Sequence, residues 1–125
     1  MLARANRIVR ADDYRNTVRR GRKTATAHCV VYVRSAAPAA SSKPESVHPA
    51  RFGFIVSKAV GNAVTRNTVR RRLKAIAHTS LVSGGASTFP SGTDVVIRAL
   101  PGALDVPWPI LLEEISKVMD KGVKA

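Results

Sequence analysis

Apolar residues recur along three segments of the chain in the way typical of β-strands. These predicted strands are 27–34 (AHCVVYVR), 51–58 (RFGFIVSK) and 93–100 (TDVVIRAL). In the second of them Phe52 and Phe54 share one face, while Gly53 and Ile55 share the other. A further short strand is expected near 22–27.

Helical periodicity with suitable end signals occurs in three other places. The predicted helices cover about 11–20, 62–79 and the region from about Pro107 onward. Two segments without periodicity, 36–49 and 83–92, are predicted to be loops, the first of them flexible. The resulting order α, β, β, α, β, α predicts an α+β fold, a small sheet with helices packed on it. We expect one domain over 1–125, with a frayed C-terminus at 122–125.

The charge of the chain is strongly unbalanced. Among its 125 residues, 21 are Lys or Arg and 8 are Asp or Glu, which gives a net charge of +13. No acid occurs between residues 46 and 93, where seven Lys or Arg side chains fall. Such clustering indicates a partner that is a polyanion, and nucleic acid and an anionic membrane surface are the usual ones.

Several other classes of function find no support in the sequence. The single cysteine, Cys29, lies in an apolar run and is expected to be a buried small hydrophobe. His28, His48 and His78 lack the mutual spacing of metal ligands. No run of apolar residues is long enough for a transmembrane helix, and the basic N-terminal region has no apolar core of a signal peptide. We therefore expect a cytoplasmic protein without membrane contact.

The basic segment VGNAVTRNTVRRRLK (60–74) divides into two faces on a helical wheel. One face carries apolar residues and should pack on the sheet: Val69, Leu73, Ile76 and Ala77. Arg66, Arg70 and Lys74 form a cationic stripe beside it, and Arg72 lies on the opposite flank. Asn62 after Gly61 is expected to cap this helix. The pattern favours phosphate binding, although a solvated basic face remains the alternative.

Residues 56–74, VSKAVGNAVTRNTVRRRLK, resemble the signature of the protein subunit of bacterial ribonuclease P. Asp13-Tyr14-Arg15 with Arg20-Gly21-Arg22 resembles the family's first helix and turn, and 94–98 followed by Pro101 resembles its last strand. The resemblance implies a four-stranded mixed sheet with three helices and a left-handed crossover between parallel strands. That hand departs from the usual rule and does not follow from the sequence pattern.

The resemblance also implies a function. The family's protein assists a catalytic RNA that removes the 5′ leader from precursor tRNA, and Mg²⁺ bound mainly by the RNA and the substrate takes part in the chemistry. The implied partners are that RNA and the precursor tRNA, with the protein a monomer within the holoenzyme. No catalytic residue in the protein is expected, and its own metal ligands, if it has any, are left open.

Site residues follow from the same resemblance. The expected contacts to the RNA subunit are Asn62, Arg66, Asn67, Arg70, Arg71 and Lys74. The expected leader cleft comprises Tyr14, Val18, Tyr32, Ser57, Lys58 and Arg66. Gly61 is the expected structural hinge. Two positions depart from the family's pattern: Thr68 stands where many members have a basic residue, and Val18 where a second aromatic is frequent.

Two other functions are weighed against this one. A structural RNA-binding protein of ribosomal type would need the charge but not the Ser-Lys-x-x-Gly-Asn-Ala-Val sequence. A DNA-binding recognition helix would be preceded by a second short helix, whereas a strand is predicted here.

Overall fold

A computed structural model describes residues 6–34, 50–88 and 92–124, with the backbone alone at 81–88 and 119–124. The predicted loop at 36–49 lies outside these residues. The elements are α1 (Ala11–Arg20), β1 (Arg22–Ala25), β2 (Cys29–Arg34), β3 (Arg51–Ile55), α2 (Ala63–Thr88), β4 (Asp94–Ala99) and α3 (Trp108–Lys124). Short 3-10 turns at Lys58–Val60 and Ala103–Asp105 precede α2 and α3. The predicted α+β architecture is confirmed, including the short strand after α1, and the fraying at the C-terminus stays a prediction.

The strands form one mixed sheet in the order β1-β2-β4-β3. The β1–β2 and β2–β4 pairs are antiparallel, and β3 pairs with β4 in parallel. Residue Tyr32 of β2 lies opposite Val96 of β4, which in turn lies opposite Gly53 of β3. This register places residues with the same alternation on a common face of the sheet.

The two faces of the sheet carry different helices. Phe52, Val31, Ile97 and their alternating neighbours pack with buried residues of α2 and α3, so we call this the α2 face. Ile8, Tyr32 and Val96 pack with Tyr14 and Val18 of α1 on the other side, which we call the α1 face. The sheet is thus the middle layer of three, as expected for strands whose two faces are both apolar.

The connection from β3 through α2 to β4 is left-handed. The Phe52 carbonyl accepts a hydrogen bond from the Ile8 N–H, and the Phe54 N–H donates to the Tyr14 hydroxyl. The backbone N–H and C=O groups of these two residues therefore point to the side of β3 that is away from β4. Both phenylalanine side chains point to the α2 face. For an L-residue on an upward strand with its side chain toward the viewer, N–H and C=O point to the right. Seen from the α2 face, β4 therefore lies to the left of β3, opposite to the usual hand.

The second helix is longer than predicted. It continues from Ala63 to Thr88 through Gly84 and Gly85, so the predicted loop at 83–92 is wrong for residues 83–88. Each glycine in a helix interior costs only about 1 kcal/mol relative to alanine. The glycine pair therefore weakens the helix without ending it.

A partly buried hydrogen-bonded contact between His28 and Glu114 joins the hairpin between β1 and β2 to α3. Glu114 accepts hydrogen bonds from the His28 backbone N–H at 2.9 Å and contacts His28 Nδ1 at 3.0 Å. Burial opposes ionisation of Glu114, but hydrogen bonds from Thr26 and His28 outweigh it and lower the pKa of Glu114. Burial and the Glu114 charge raise the pKa of Cys29 to about 12, so this thiol stays protonated, and its predicted burial is confirmed.

We expect Glu114→Gln to lower the free energy of unfolding by about 1–2 kcal/mol at pH 7, because an amide accepts these hydrogen bonds more weakly than a carboxylate. The pKa of Glu114 is lower in the folded chain, so its stabilisation is present above the unfolded pKa and is lost as the pH falls through the folded one. Urea unfolding between pH 3 and pH 7 measures this. The control Glu113→Gln removes an exposed neighbouring carboxylate, and a wild-type advantage over Glu114→Gln that stayed constant with pH would contradict the assignment.

Candidate nucleic-acid interface

The entry to α2 is built by Gly61 and Asn62. Gly61 has φ 155°, and a Cβ at this position would lie 2.8 Å from Thr65 Cγ2, so glycine is required by both the backbone and the close approach. The Asn62 side-chain Oδ1 accepts a hydrogen bond from the Thr65 N–H at 2.9 Å. This is the predicted N-cap, and it is confirmed.

Packing fixes the rotation of α2 about its axis. Val69, Leu73, Ile76 and Ala77 are fully buried against the α2 face of the sheet, which confirms the predicted apolar stripe. Arg66, Arg70 and Lys74, spaced four apart, are half-buried beside it, and we call them the basic stripe. Because the packed face cannot rotate without losing its buried area, the basic stripe is held in one direction relative to the sheet.

The polar residues of α2 differ in their hydrogen bonds and in their burial. Arg70 Nη1 donates to Asn67 Oδ1 at 3.0 Å; Arg70 is half-buried and Asn67 is exposed. Arg66 buries its Nε, and this atom has no hydrogen-bond partner within the described part of the chain. Arg71 is exposed. Within the described residues no carboxylate pairs with the basic stripe, so its charge is available to an external anion.

Arg72 serves a structural purpose instead. Its Nη1 donates to the carbonyl oxygens of Leu104 at 3.0 Å and Val106 at 2.9 Å. These carbonyls belong to the segment that leads into α3, so Arg72 ties α2 to that segment. The neighbouring Thr68, which departs from the family's pattern, bonds back to the Val64 carbonyl at 3.0 Å.

A cavity of about 220 Å³ lies at the outer edge of β3, next to the basic stripe. Its lining combines cations with aromatic and aliphatic groups from four parts of the chain: Arg7, Ile8, Val9, Tyr14, Phe52, Phe54, Arg70 and Lys74. Arg7 and Val9 have no role in the sequence-based site. Arg7 reaches it because its segment pairs in parallel with Phe52, a long-range contact that no local pattern signals.

Tyr14 of α1 is positioned by β3. A Cβ on Gly53 would lie 2.4 Å from Tyr14 Cε1, so the tyrosine ring lies directly on the glycine. Its hydroxyl accepts the free N–H of Phe54 at 3.3 Å. The ring thus occupies the space that the missing side chain leaves, and it covers the open edge of the sheet.

Of the other residues of the expected leader cleft, Tyr32 and Val18 lie on the α1 face, whereas Arg66 lies on α2, which packs on the opposite face. Tyr32 is 5% exposed and packs with Ile8 and Val96, and Val18 is partly buried against the same cluster. Ser57 and Lys58 follow the end of β3 after the buried Val56, and Lys58 is exposed. They therefore lie at the end of the sheet from which α2 begins, close in the chain to the Gly61–Asn62 entry.

An ion-pair network docks α1 on the sheet. Arg51 donates to both carboxylate oxygens of Asp94 at 2.9 and 3.0 Å and to Asp13 of α1 at 3.3 Å. The hydrogen bond to Asp94 raises the pKa of Arg51 against the opposing effect of burial. The cluster holds the helix that carries Tyr14 and Val18 over its face.

Residues 6–34, 50–88 and 92–124 contain no group of three or more His, Cys, Asp or Glu placed to bind a metal ion. Among the helices described, none combines the length and apolar character that crossing a bilayer requires.

Comparison with known proteins agrees with this geometry. The sequence model of the family described as Ribonuclease P matches residues 2–122. The Ribonuclease P protein component of Clavibacter michiganensis subsp. michiganensis is 47% identical over 124 residues, covering 99% of this chain and 98% of the relative. That of Streptomyces bikiniensis is 42% identical over 121 residues, covering 97% and 94%.

Solved structures support the fold. The RNase P protein of Staphylococcus aureus matches with a TM-score of 0.69 at 24% identity, covering 93% of this chain and 94% of that one. The RNase P protein from Thermotoga maritima matches with a TM-score of 0.69 at 18% identity, covering 92% and 96%. Together with the basic stripe on α2 and the family match over nearly the whole sequence, these likenesses lead to one conclusion: the chain belongs to the ribonuclease P protein family.

Proposed function

We propose that this chain is the protein subunit of a bacterial ribonuclease P and assists a catalytic RNA in removing the 5′ leader from precursor tRNA. The observation that carries the proposal is the basic stripe, which packing holds in one direction and which has no acidic partner among the described residues. In a chain of this family, an RNA is the polyanion that such a surface fits.

The outward surface of helix α2, which we call the α2 surface, is assigned to the RNA subunit. Its contacts come from one helix: Asn62, Arg66, Asn67, Arg70, Arg71 and Lys74. Arginine and lysine neutralise phosphates, and asparagine amides hydrogen-bond to phosphate and sugar oxygens. Asn62 also caps the helix, so it combines a structural role with an exposed position.

The α1 face is assigned to the leader of the substrate. Tyr14, Val18, Tyr32, Ser57 and Lys58 belong to this cleft in the proposal, together with Arg66, which is assigned to it from α2. Tyr14, which packs on Gly53 and is partly exposed, provides the aromatic surface of the cleft; Tyr32 is buried beside Val96, and the exposed Lys58 supplies a cation beyond the end of β3. Single-stranded RNA is held by such a combination largely without regard to its sequence.

The chemistry of cleavage is assigned to the RNA. Five described carboxylates have side-chain partners: Asp13 and Asp94 contact Arg51, Asp12 contacts Arg15, Glu113 contacts Lys117 and Glu114 contacts His28. These groups do not form a Mg²⁺ site, and we assign no step to a metal held by the protein. The proposal places Mg²⁺ on the RNA subunit and the substrate, with the protein a monomer within a cytoplasmic holoenzyme.

Substrate affinity tests this division of labour. Binding of a precursor tRNA and of the matching mature tRNA is measured with the RNA subunit alone and with the reconstituted holoenzyme. We expect the protein to raise the affinity for the leader-bearing substrate and to leave that for mature tRNA nearly unchanged. An equal gain for both RNAs would remove the leader cleft from the proposal.

A further inference from the structure

Arg98 occupies an unusual position for a charged side chain. It lies on β4, a central strand between β2 and β3, and its chain neighbours Ile97 and Ala99 are 0% and 3% exposed. Arg98 itself is exposed. A cation near the C-terminal end of a central strand is therefore open to solvent, although its two chain neighbours, which point to the opposite face, belong to the core.

Strand alternation places Arg98 on the α1 face, two residues after Val96. Its register partners are Val30 of β2 and Ile55 of β3, and both are half-buried. Further along the same row, Ala25 of β1 is exposed. The helix α1 thus covers the part of this face around Val96 and leaves the row that contains Arg98 uncovered.

The guanidinium of Arg98 makes no hydrogen bond or ion pair with any residue in the described ranges. The β4 acid on the same face, Asp94, is engaged by Arg51. A guanidinium without such a partner can donate two parallel hydrogen bonds to a ligand, and the oxygens of a phosphate accept such a pair. Val30 and Ile55 provide an apolar surface on either side of it.

We propose that Arg98 binds a phosphodiester of the single-stranded 5′ leader on the open row of the α1 face. The inference rests on the proposed function and adds a contact outside the set of residues assigned to the cleft above. The leader's backbone passes over Arg98, while the aliphatic side chains of Val30 and Ile55 contact the adjoining nucleotide. Because Arg98 contacts a phosphate and not a base, it can bind leaders of any sequence.

The test uses the holoenzyme with Arg98→Gln and a series of precursor tRNAs whose leaders grow one nucleotide at a time. We expect affinity to fall about five- to tenfold once the leader is long enough to reach Arg98, the loss of one charge-assisted contact. Affinity for shorter leaders and for mature tRNA should match the wild type. The control Lys117→Gln removes one exposed charge from α3, on the opposite side of the sheet, and should leave the whole series unchanged.

A phosphate-specific measurement identifies the contact. A neutral methylphosphonate is placed at each leader position in turn, and its effect is compared between wild-type and Arg98→Gln holoenzymes. At one position the methylphosphonate should lower the affinity of the wild-type holoenzyme as much as the Arg98→Gln substitution does. At the same position it should cause no further loss of affinity in the Arg98→Gln holoenzyme. Additive losses at every position would overturn the proposal.

Two further results separate this inference from the proposed function. If the wild-type protein does not favour leader-bearing substrate over mature tRNA, the proposed function fails and the inference with it. If the wild type does so and Arg98→Gln behaves like it at every leader length, the inference alone is overturned. Because Arg98 is exposed and unpaired among described residues, thermal unfolding of Arg98→Gln should match the wild type; an equal weakening for mature tRNA would also overturn the assignment.

Discussion

Replacing the basic stripe by glutamine (Arg66→Gln, Arg70→Gln and Lys74→Gln together) is expected to weaken binding to the ribonuclease P RNA about 100- to 1000-fold at moderate salt. Each cation that neutralises a phosphate releases counterions, so removing three should also make the logarithmic salt dependence shallower by about 2–3 units. Glutamine is a good helix former, and the buried face of α2 stays intact, so the fold should persist. Equilibrium binding over a series of salt concentrations measures both quantities.

A variant with the same loss of charge provides the control. Arg15→Gln, Arg19→Gln and Lys117→Gln together remove three exposed cations that lie outside the α2 surface. We expect this control to lose affinity only several-fold, since long-range attraction is screened beyond about 8 Å at physiological salt. Equal losses for the two triple variants would show that overall charge, and not the orientation of α2, governs binding.

Arg51→Met is expected to lower the free energy of unfolding by about 3–5 kcal/mol, because it leaves a buried carboxylate without its guanidinium partner. The Asp94 side chain is 6% exposed and receives two hydrogen bonds from Arg51, and Asp13 of α1 receives a third. Urea unfolding measures the loss. The helix α1 loses an attachment to the sheet, so discrimination in favour of leader-bearing substrate should also decrease.

A second arginine–aspartate pair serves as the matched control. Arg15 and Asp12 lie 3.5 Å apart with side chains 62% and 82% exposed, and Arg15→Met should cost less than about 1 kcal/mol. The double variant Arg51→Met with Asp94→Asn should recover part of the stability, since it removes the buried charge as well. If Arg51→Met and Arg15→Met cost the same, the Arg51 cluster does not anchor α1.

The sequence predicts those features that depend on local periodicity. Alternation identifies β3 and its two faces, and the wheel places Val69 and Leu73 inward and the basic stripe beside them. The Asn62 cap also follows from local chemistry. In each case a few consecutive residues carry the whole signal, because burial repeats with the period of the helix or strand.

Long-range contacts account for what the sequence does not predict. Arg72 looks like another member of the basic helix, yet its partners are the carbonyls of Leu104 and Val106. The position of Tyr14 depends on a missing side chain at Gly53, and Arg98 acquires its exposure only from where α1 ends its cover of the sheet. Such placements arise from the packing of separate elements, which local patterns do not encode.

Cleavage of a precursor tRNA by bacterial ribonuclease P RNA, at a Mg²⁺ concentration too low for the RNA alone, tests the central claim most directly. We expect the purified protein to restore cleavage at the junction between leader and mature tRNA, and the basic-stripe triple variant to do so only at much higher protein concentration. A protein that is folded by circular dichroism and binds RNA but gives no stimulation would contradict the account and would favour a structural RNA-binding role.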